Sequence, residues 1–305
     1  MQSPGELRTD QATAEASYVE EDTGWLDPVT GDVLMQVMTE LANMTSMLGR
    51  AAARRRIGEI QGLVRALLHQ VAQLIMAGEI DPWTRLRMTP DDPPVSPSAD
   101  VVRIGVLPLS ANPIHWGHLL SGLSVMVRAR LDKIAYLICH DPSPAAELYP
   151  EELRRGAAAE AIALFQPLFT LVPAQAGKSL DGPASFFRLL GLNGQQTVEA
   201  FYVSGYESGA SISIIETMEA LHAESNRIGA GHNERLHPVS LVRMDAAAGE
   251  GPASGNPRLL VIPSPLPWVS TSAVRAALGS SLHRDELSAL PACAFRHLRM
   301  LSSFD

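Results

Sequence analysis

From Val101 onward, short apolar runs alternate with longer stretches of helical periodicity, and this alternation restricts the chain more than any other feature. The runs lie at 101–109, 133–139, 168–173, 200–204, 238–243 and 258–263, each short enough for a buried strand. Helical candidates fall between several of them, at 117–130, 151–165, 183–191 and 211–223. Strands joined through helices run parallel, and a parallel sheet needs cover on both faces. The expected fold class is therefore α/β, a parallel sheet with helices on both faces. Ligands of such sheets sit at the carboxyl ends of the strands, where the strand order reverses, so the loops after strands carry the search for function.

The first 98 residues do not follow this pattern. Residues 1–22 hold six acids (Glu6, Asp10, Glu15, Glu20, Glu21, Asp22) against Arg8 and few large apolar groups, a composition that buries too little to offset the entropy of ordering. A disordered acidic tail is expected there. Within 23–88, Leu34, Val37, Met38, Leu41, Met44 and Leu48 recur at three and four, as do Ile57, Ile60, Val64, Leu67, Leu68, Val71, Leu74 and Ile75. Two amphipathic helices, around 32–49 and 54–77, form an N-terminal helical extension that covers either the α/β domain or a second copy of the chain, as in a homo-oligomer. Arg50, Arg54, Arg55 and Arg56 read as a solvated basic turn with no function assigned. Four prolines within 89–98 exclude a helix or central strand and mark a linker or extended strap before an α/β domain spanning 99–305.

Charge and composition remove several function classes. The 24 Lys and Arg against 33 Asp and Glu leave the chain at −9, which argues against sequence-blind nucleic-acid binding while allowing a local phosphate pocket. Cys139 and Cys293 are too few for a disulfide framework or a thiolate zinc site, so a reducing, cytoplasmic setting is expected. No run approaches the about 18 apolar residues of a spanning helix, and the N-terminus lacks the basic start and apolar core of a secretory signal. Gly177-Lys178-Ser179 is not a P-loop, because Val172 stands where its first glycine belongs.

Two segments concentrate phosphate chemistry. The loop after the first strand reads Ser110-Ala111-Asn112-Pro113-Ile114-His115-Trp116-Gly117-His118 and opens into an apolar helix. A helix N-terminus presents unpaired N–H groups and the positive end of its dipole, which suits a phosphate. His115 and His118 each add a ring N–H, and Gly117 leaves room for close approach. Near the C-terminus, Trp268-Val269-Ser270-Thr271-Ser272-Ala273-Val274-Arg275 follows the last strand and opens another helix, with hydroxyls at the cap and Arg275 near one turn onward, able to grip an anion in bidentate fashion.

Together these segments resemble the H-x-G-H nucleotidyltransferase superfamily, and most closely the nicotinamide or nicotinate mononucleotide adenylyltransferases. Asn112-Pro113-Ile114-His115-Trp116-Gly117-His118-Leu119 is close to that family's D-P-x-H-x-G-H-L, with Asn112 in place of its aspartate. Val269 to Arg275 is similar to its late [IV]-S-[ST]-[ST]-x-[IV]-R motif, and Gly205-Tyr206-Glu207 stands where the family carries G-x-D. Leu109 and Ala111 depart from the family's first loop. The resemblance covers 101 to about 300 and implies a Rossmann-like fold.

It also implies the activity: an adenylyltransferase joining ATP to nicotinate or nicotinamide mononucleotide with release of pyrophosphate, in NAD biosynthesis. His115, His118 and Arg275 become the catalytic residues. Ser110, Ala111, Gly117, Gly205, Glu207, Ser270, Thr271 and Ser272 become nucleotide-binding, and Arg154, Arg155 and Trp268 are candidates for the acceptor. A divalent ion, Mg²⁺, is implied through the ATP phosphates, with no protein ligand named. Two alternatives stay open: another phosphorylated acceptor, such as pantetheine phosphate or a cytidylyl transfer, and a nucleotide-binding regulatory protein without turnover.

Overall fold

The computed structural model describes residues 27–95, 101–139, 149–174, 189, 191–193, 196–205, 234–242, 260–279 and 285–301. The expected acidic tail at 1–22, the expected helix at 211–223 and most of that at 183–191 lie outside these residues.

Two long helices come first, α1 (Pro28–Leu48) and α2 (Ala51–Met76). Asp27 starts α1 by accepting the Val29 N–H at 2.9 Å, with Pro28 at the first turn, where its missing donor costs nothing. Gly49 ends it in the left-handed region, φ 63°, and the chain reverses directly into α2. Val33, Val37, Leu41 and Met44 of α1 and Ile57, Ile60, Val64, Leu68 and Val71 of α2 are buried, following the stripes seen in the sequence.

The sheet contains β1 (Val102–Leu109), β2 (Lys133–Ile138), β3 (Phe169–Leu171), β4 (Val198–Gly205), β5 (Glu234–Val242) and β6 (Leu260–Pro263). Its order is β3-β2-β1-β4-β5-β6, with all neighbours parallel, so the chain order reverses between β1 and β4. Connecting and closing helices are α3 (Trp116–Ala129), α4 (Glu151–Ala163), α5 (Thr271–Leu278) and α6 (Ala292–Leu301), with a 3₁₀ turn at Asp285–Ala289. The architecture is α/β and Rossmann-like.

Strand residues alternate between two apolar clusters, as the period-two geometry of a strand requires. Ile134, Tyr136 and Ile138 join the larger one, while Ala135 and Leu137 join the smaller, which Leu86 and Met88 from the segment after α2 help to cover. The larger cluster runs without a break from α1 and α2 through α3 to α4 and α6. The N-terminal helices therefore cover this chain's own α/β layer, and their apolar stripes are used within the molecule. The Glu40 carboxylate, 8% exposed, adds a polar tie by accepting the Cys293 N–H at 2.8 Å.

The described part of the proline-rich stretch, 89–95, contains neither helix nor strand. It is held in place: the Asp92 carboxylate accepts the N–H groups of Met88 and Thr89 at 2.7 and 2.8 Å, and those two bonds hold its pKa below the usual carboxylate range. Arg87 is anchored in turn to Asn193 through its own N–H at 2.8 Å and its carbonyl at 2.9 Å. Among the described residues no helix is long and apolar enough to cross a membrane.

Candidate active site

The order reversal places the carboxyl ends of β1 and β4 side by side. β1 leads into the loop Ser110–His115 and then α3. Ala111 within that loop is buried in the left-handed region at φ 49°, a backbone state that costs an L-residue roughly 1–2 kcal/mol. Bonds on either side hold it there. The buried Asn112 Oδ1 accepts the Tyr149 N–H at 3.0 Å. Arg154 donates from Nη1 to the carbonyls of Ser110 and, at 3.1 Å, Cys139, and from Nε to that of Tyr149 at 3.0 Å.

These bonds correct one expectation. Arg154, a candidate for the acceptor phosphate, is 2% exposed with its guanidinium committed to main-chain carbonyls from three segments, so it braces the loops after β1 and β2. Its neighbour Arg155 is placed differently. Nη2 donates to the Val172 carbonyl at 2.8 Å just past β3, Nη1 has no hydrogen-bond partner among the described residues, and burial lowers the pKa of the group.

His115 caps α3 with extended backbone, φ −148°, and His118 sits on the first turn. The imidazoles stack with centroids 3.6 Å apart and planes 14° from parallel. His118 Nδ1 accepts the His115 N–H at 3.3 Å, and the buried Tyr136 hydroxyl donates to the His118 carbonyl at 3.2 Å. Burial lowers the His118 pKa from 6.5 to about 4. The ring is thus neutral near pH 7, and with Nδ1 accepting, its proton belongs on Nε2, which is the donor it offers. Space at Gly117 is tight: a Cβ there would lie 3.0 Å from the His115 ring and 3.3 Å from Val269 Cγ1.

That approach of Val269 brings in the second segment. Ser270 caps α5, and its hydroxyl is 2.8 Å from that of Ser272. Thr271 Oγ1 lies 2.9 Å from His115 Nε2, which joins the first turns of α3 and α5 across 156 residues of chain. Thr271, expected to hold nucleotide, is thereby occupied with His115. Arg275 lies close enough to Tyr149 for its charge to favour the ionised phenol, although burial outweighs it and raises that pKa. Among the described residues the Arg275 guanidinium has no hydrogen-bonding or ion-pair partner.

Trp268 needs the second correction. Expected near an acceptor ring, it turns towards α2, where its indole N–H donates to Glu59 Oε2 at 3.1 Å and Arg56 Cζ covers its face at 4.9 Å from the centroid. Gly205 ends β4 at the order reversal, and Glu207 lies outside the described residues. Sequence reasoning missed Tyr136, Glu59 and Arg56. Tyr136 reads as an ordinary strand residue, and the other two lie more than 200 positions from Trp268.

No protein-family model matches the chain, and no curated protein matches it. Among solved structures it is similar to Plasmodium falciparum nicotinic acid mononucleotide adenylyltransferase complexed with NaAD, at a TM-score of 0.50 and 14% identity, covering 67% of this chain and 98% of that one. The chain shares the fold of that structure. A second structure of the Plasmodium enzyme, complexed with APC, gives 0.49 at the same identity and coverage. Identity this low speaks for the fold, so the chemistry rests on the geometry of His115, His118 and the start of α5. No group of three or more His, Cys, Asp or Glu side chains among the described residues is gathered to hold a metal ion.

Proposed function

We propose that the chain is an adenylyltransferase that joins ATP to nicotinate or nicotinamide mononucleotide and releases pyrophosphate, a step of NAD biosynthesis. The observation that carries this reading is the 2.9 Å bond between His115 and Thr271, which sets two helix N-termini, two imidazoles and two hydroxyls beside each other at the order reversal of a nucleotidyltransferase fold. Such an arrangement suits a polyphosphate, because helix N-termini offer N–H donors and the Arg275 guanidinium brings a positive charge with no ion-pair partner among the described residues.

A phosphate oxygen of the mononucleotide, already ionised near neutral pH, attacks the α-phosphorus of ATP. A new P–O bond forms there, the bond to the bridging oxygen breaks, and pyrophosphate leaves with the electron pair. No proton has to be removed from the nucleophile, so the protein's task is to position and to stabilise charge. Neutral His118 donates from Nε2 to an oxygen of the α-phosphate, and the first turn of α3 adds main-chain donors. Arg275, Ser270 and Ser272 receive the β- and γ-phosphates. Gly205 borders the nucleoside, the loop at Ser110 and Ala111 lies beside it, and Arg155 offers Nη1 to the acceptor phosphate. Mg²⁺ would add neutralising charge on the phosphate oxygens.

Pyrophosphate release tests the proposal. Supplied with ATP and Mg²⁺, the protein is expected to turn over with nicotinate or nicotinamide mononucleotide and not with pantetheine phosphate, nor with CTP in place of ATP. Binding of ATP without turnover on any acceptor would overturn the assignment.

A further inference from the structure

The helical extension meets the loop before α5 at Trp268. Trp268, two residues before the cap of α5, is held at its edge by Glu59 and on its face by Arg56, both from α2. Glu59 is exposed, and a contact of this kind on the surface contributes little to folding stability. What it does determine is where the indole sits. The next residue, Val269, packs against Gly117, Ser270 follows as the cap, and Thr271 holds His115 at 2.9 Å. A shift of Trp268 is therefore passed within three residues to the hydroxyls and to one of the imidazoles.

We propose that Glu59 and Arg56 are positioning residues of the nucleotide site, clamping Trp268 so that the loop before α5 is set for the β- and γ-phosphates of ATP. The inference rests on the reading above that this site takes ATP. It makes α2 a working part of the site rather than only a cover for the sheet.

The test uses the full chain and three substitutions. Glu59→Ala removes the acceptor of the indole N–H. Glu59→Gln keeps an oxygen that can accept it. Glu79→Ala is the control, since it breaks an ion pair of similar length, 3.0 Å to Arg130, elsewhere on the molecule. Glu59→Ala is expected to raise KM for ATP about fivefold, the mark of lost ground-state binding, with kcat and the acceptor KM within about twofold of the parent. Glu59→Gln is expected to restore it, and Glu79→Ala to leave it unchanged. An unaltered KM for ATP in Glu59→Ala, or an equal change in Glu79→Ala, overturns the clamp. A second readout needs no nucleotide: the ¹⁵N resonance of His115 Nε2 should shift in Glu59→Ala and stay put in Glu79→Ala. If the parent protein does not turn over ATP, the adenylyltransferase reading fails while the imidazole signal still decides the clamp, and an unmoved signal in Glu59→Ala ends it.

Discussion

His118 combines a partly buried imidazole, an Nδ1 that accepts a main-chain N–H and a pKa of about 4, so it works as a neutral donor rather than as an imidazolium. Replacing it by alanine should lower turnover by about 10² or more, the loss usual for one preorganised donor aimed at developing charge. Circular dichroism should show the fold unchanged, and a variant with parental turnover would remove the residue from the mechanism. The same pKa has a consequence for stability. Unfolded histidine takes up a proton near pH 6.5 and folded His118 only near 4, so the stabilisation is complete above 6.5 and declines as the pH falls through that window, by at most about 1.4 kcal/mol per pH unit. Urea denaturation at pH 7 and pH 5 measures this, and the drop should be smaller in His118→Gln. Of these features the sequence shows the H-x-G-H spacing and the helix start. The neutral state was not legible, because it depends on burial and on which ring nitrogen is already engaged.

Among the secondary-structure elements, the loop after β1 depends on α4. Arg154 sends its guanidinium into the carbonyl ends of that loop and of β2, which lets Ala111 keep a left-handed backbone. Arg154→Met should cost about 3 kcal/mol or more, since buried carbonyls would lose a charged donor and a side chain cannot supply water in its place. Denaturant midpoints check this, and a loss below 1 kcal/mol would contradict the brace. Strand positions were readable to within a few residues, because a buried parallel strand needs an unbroken apolar run. The direction taken by Arg154 was not. A helix with Arg154 and Arg155 adjacent presents two cations in the sequence, and only packing decides that one is buried among carbonyls while the other keeps an unpartnered nitrogen.

At the scale of the whole molecule, α1 and α2 share one core with the α/β layer. A chain beginning at residue 99 would uncover the apolar surface of α3 and of the 3₁₀ turn at Leu287. Each newly exposed large side chain costs roughly 1.5–3 kcal/mol, against a total stability for ordinary domains of about 5–15 kcal/mol. Size-exclusion chromatography should therefore find the truncated chain aggregated, and a monodisperse, cooperatively unfolding product would show that the extension is dispensable. The amino-acid order by itself determined the α/β class, the strand positions, the helices α1 to α4, and the two segments rich in phosphate-binding groups, because periodicity and local capping act over a few residues. Tertiary structure alone decided that His115 meets Thr271, that Trp268 turns to Glu59 and Arg56, and that the helical stripes cover this chain's own sheet. Those outcomes join residues more than 150 positions apart, where only the packing of one core brings side chains within hydrogen-bonding reach.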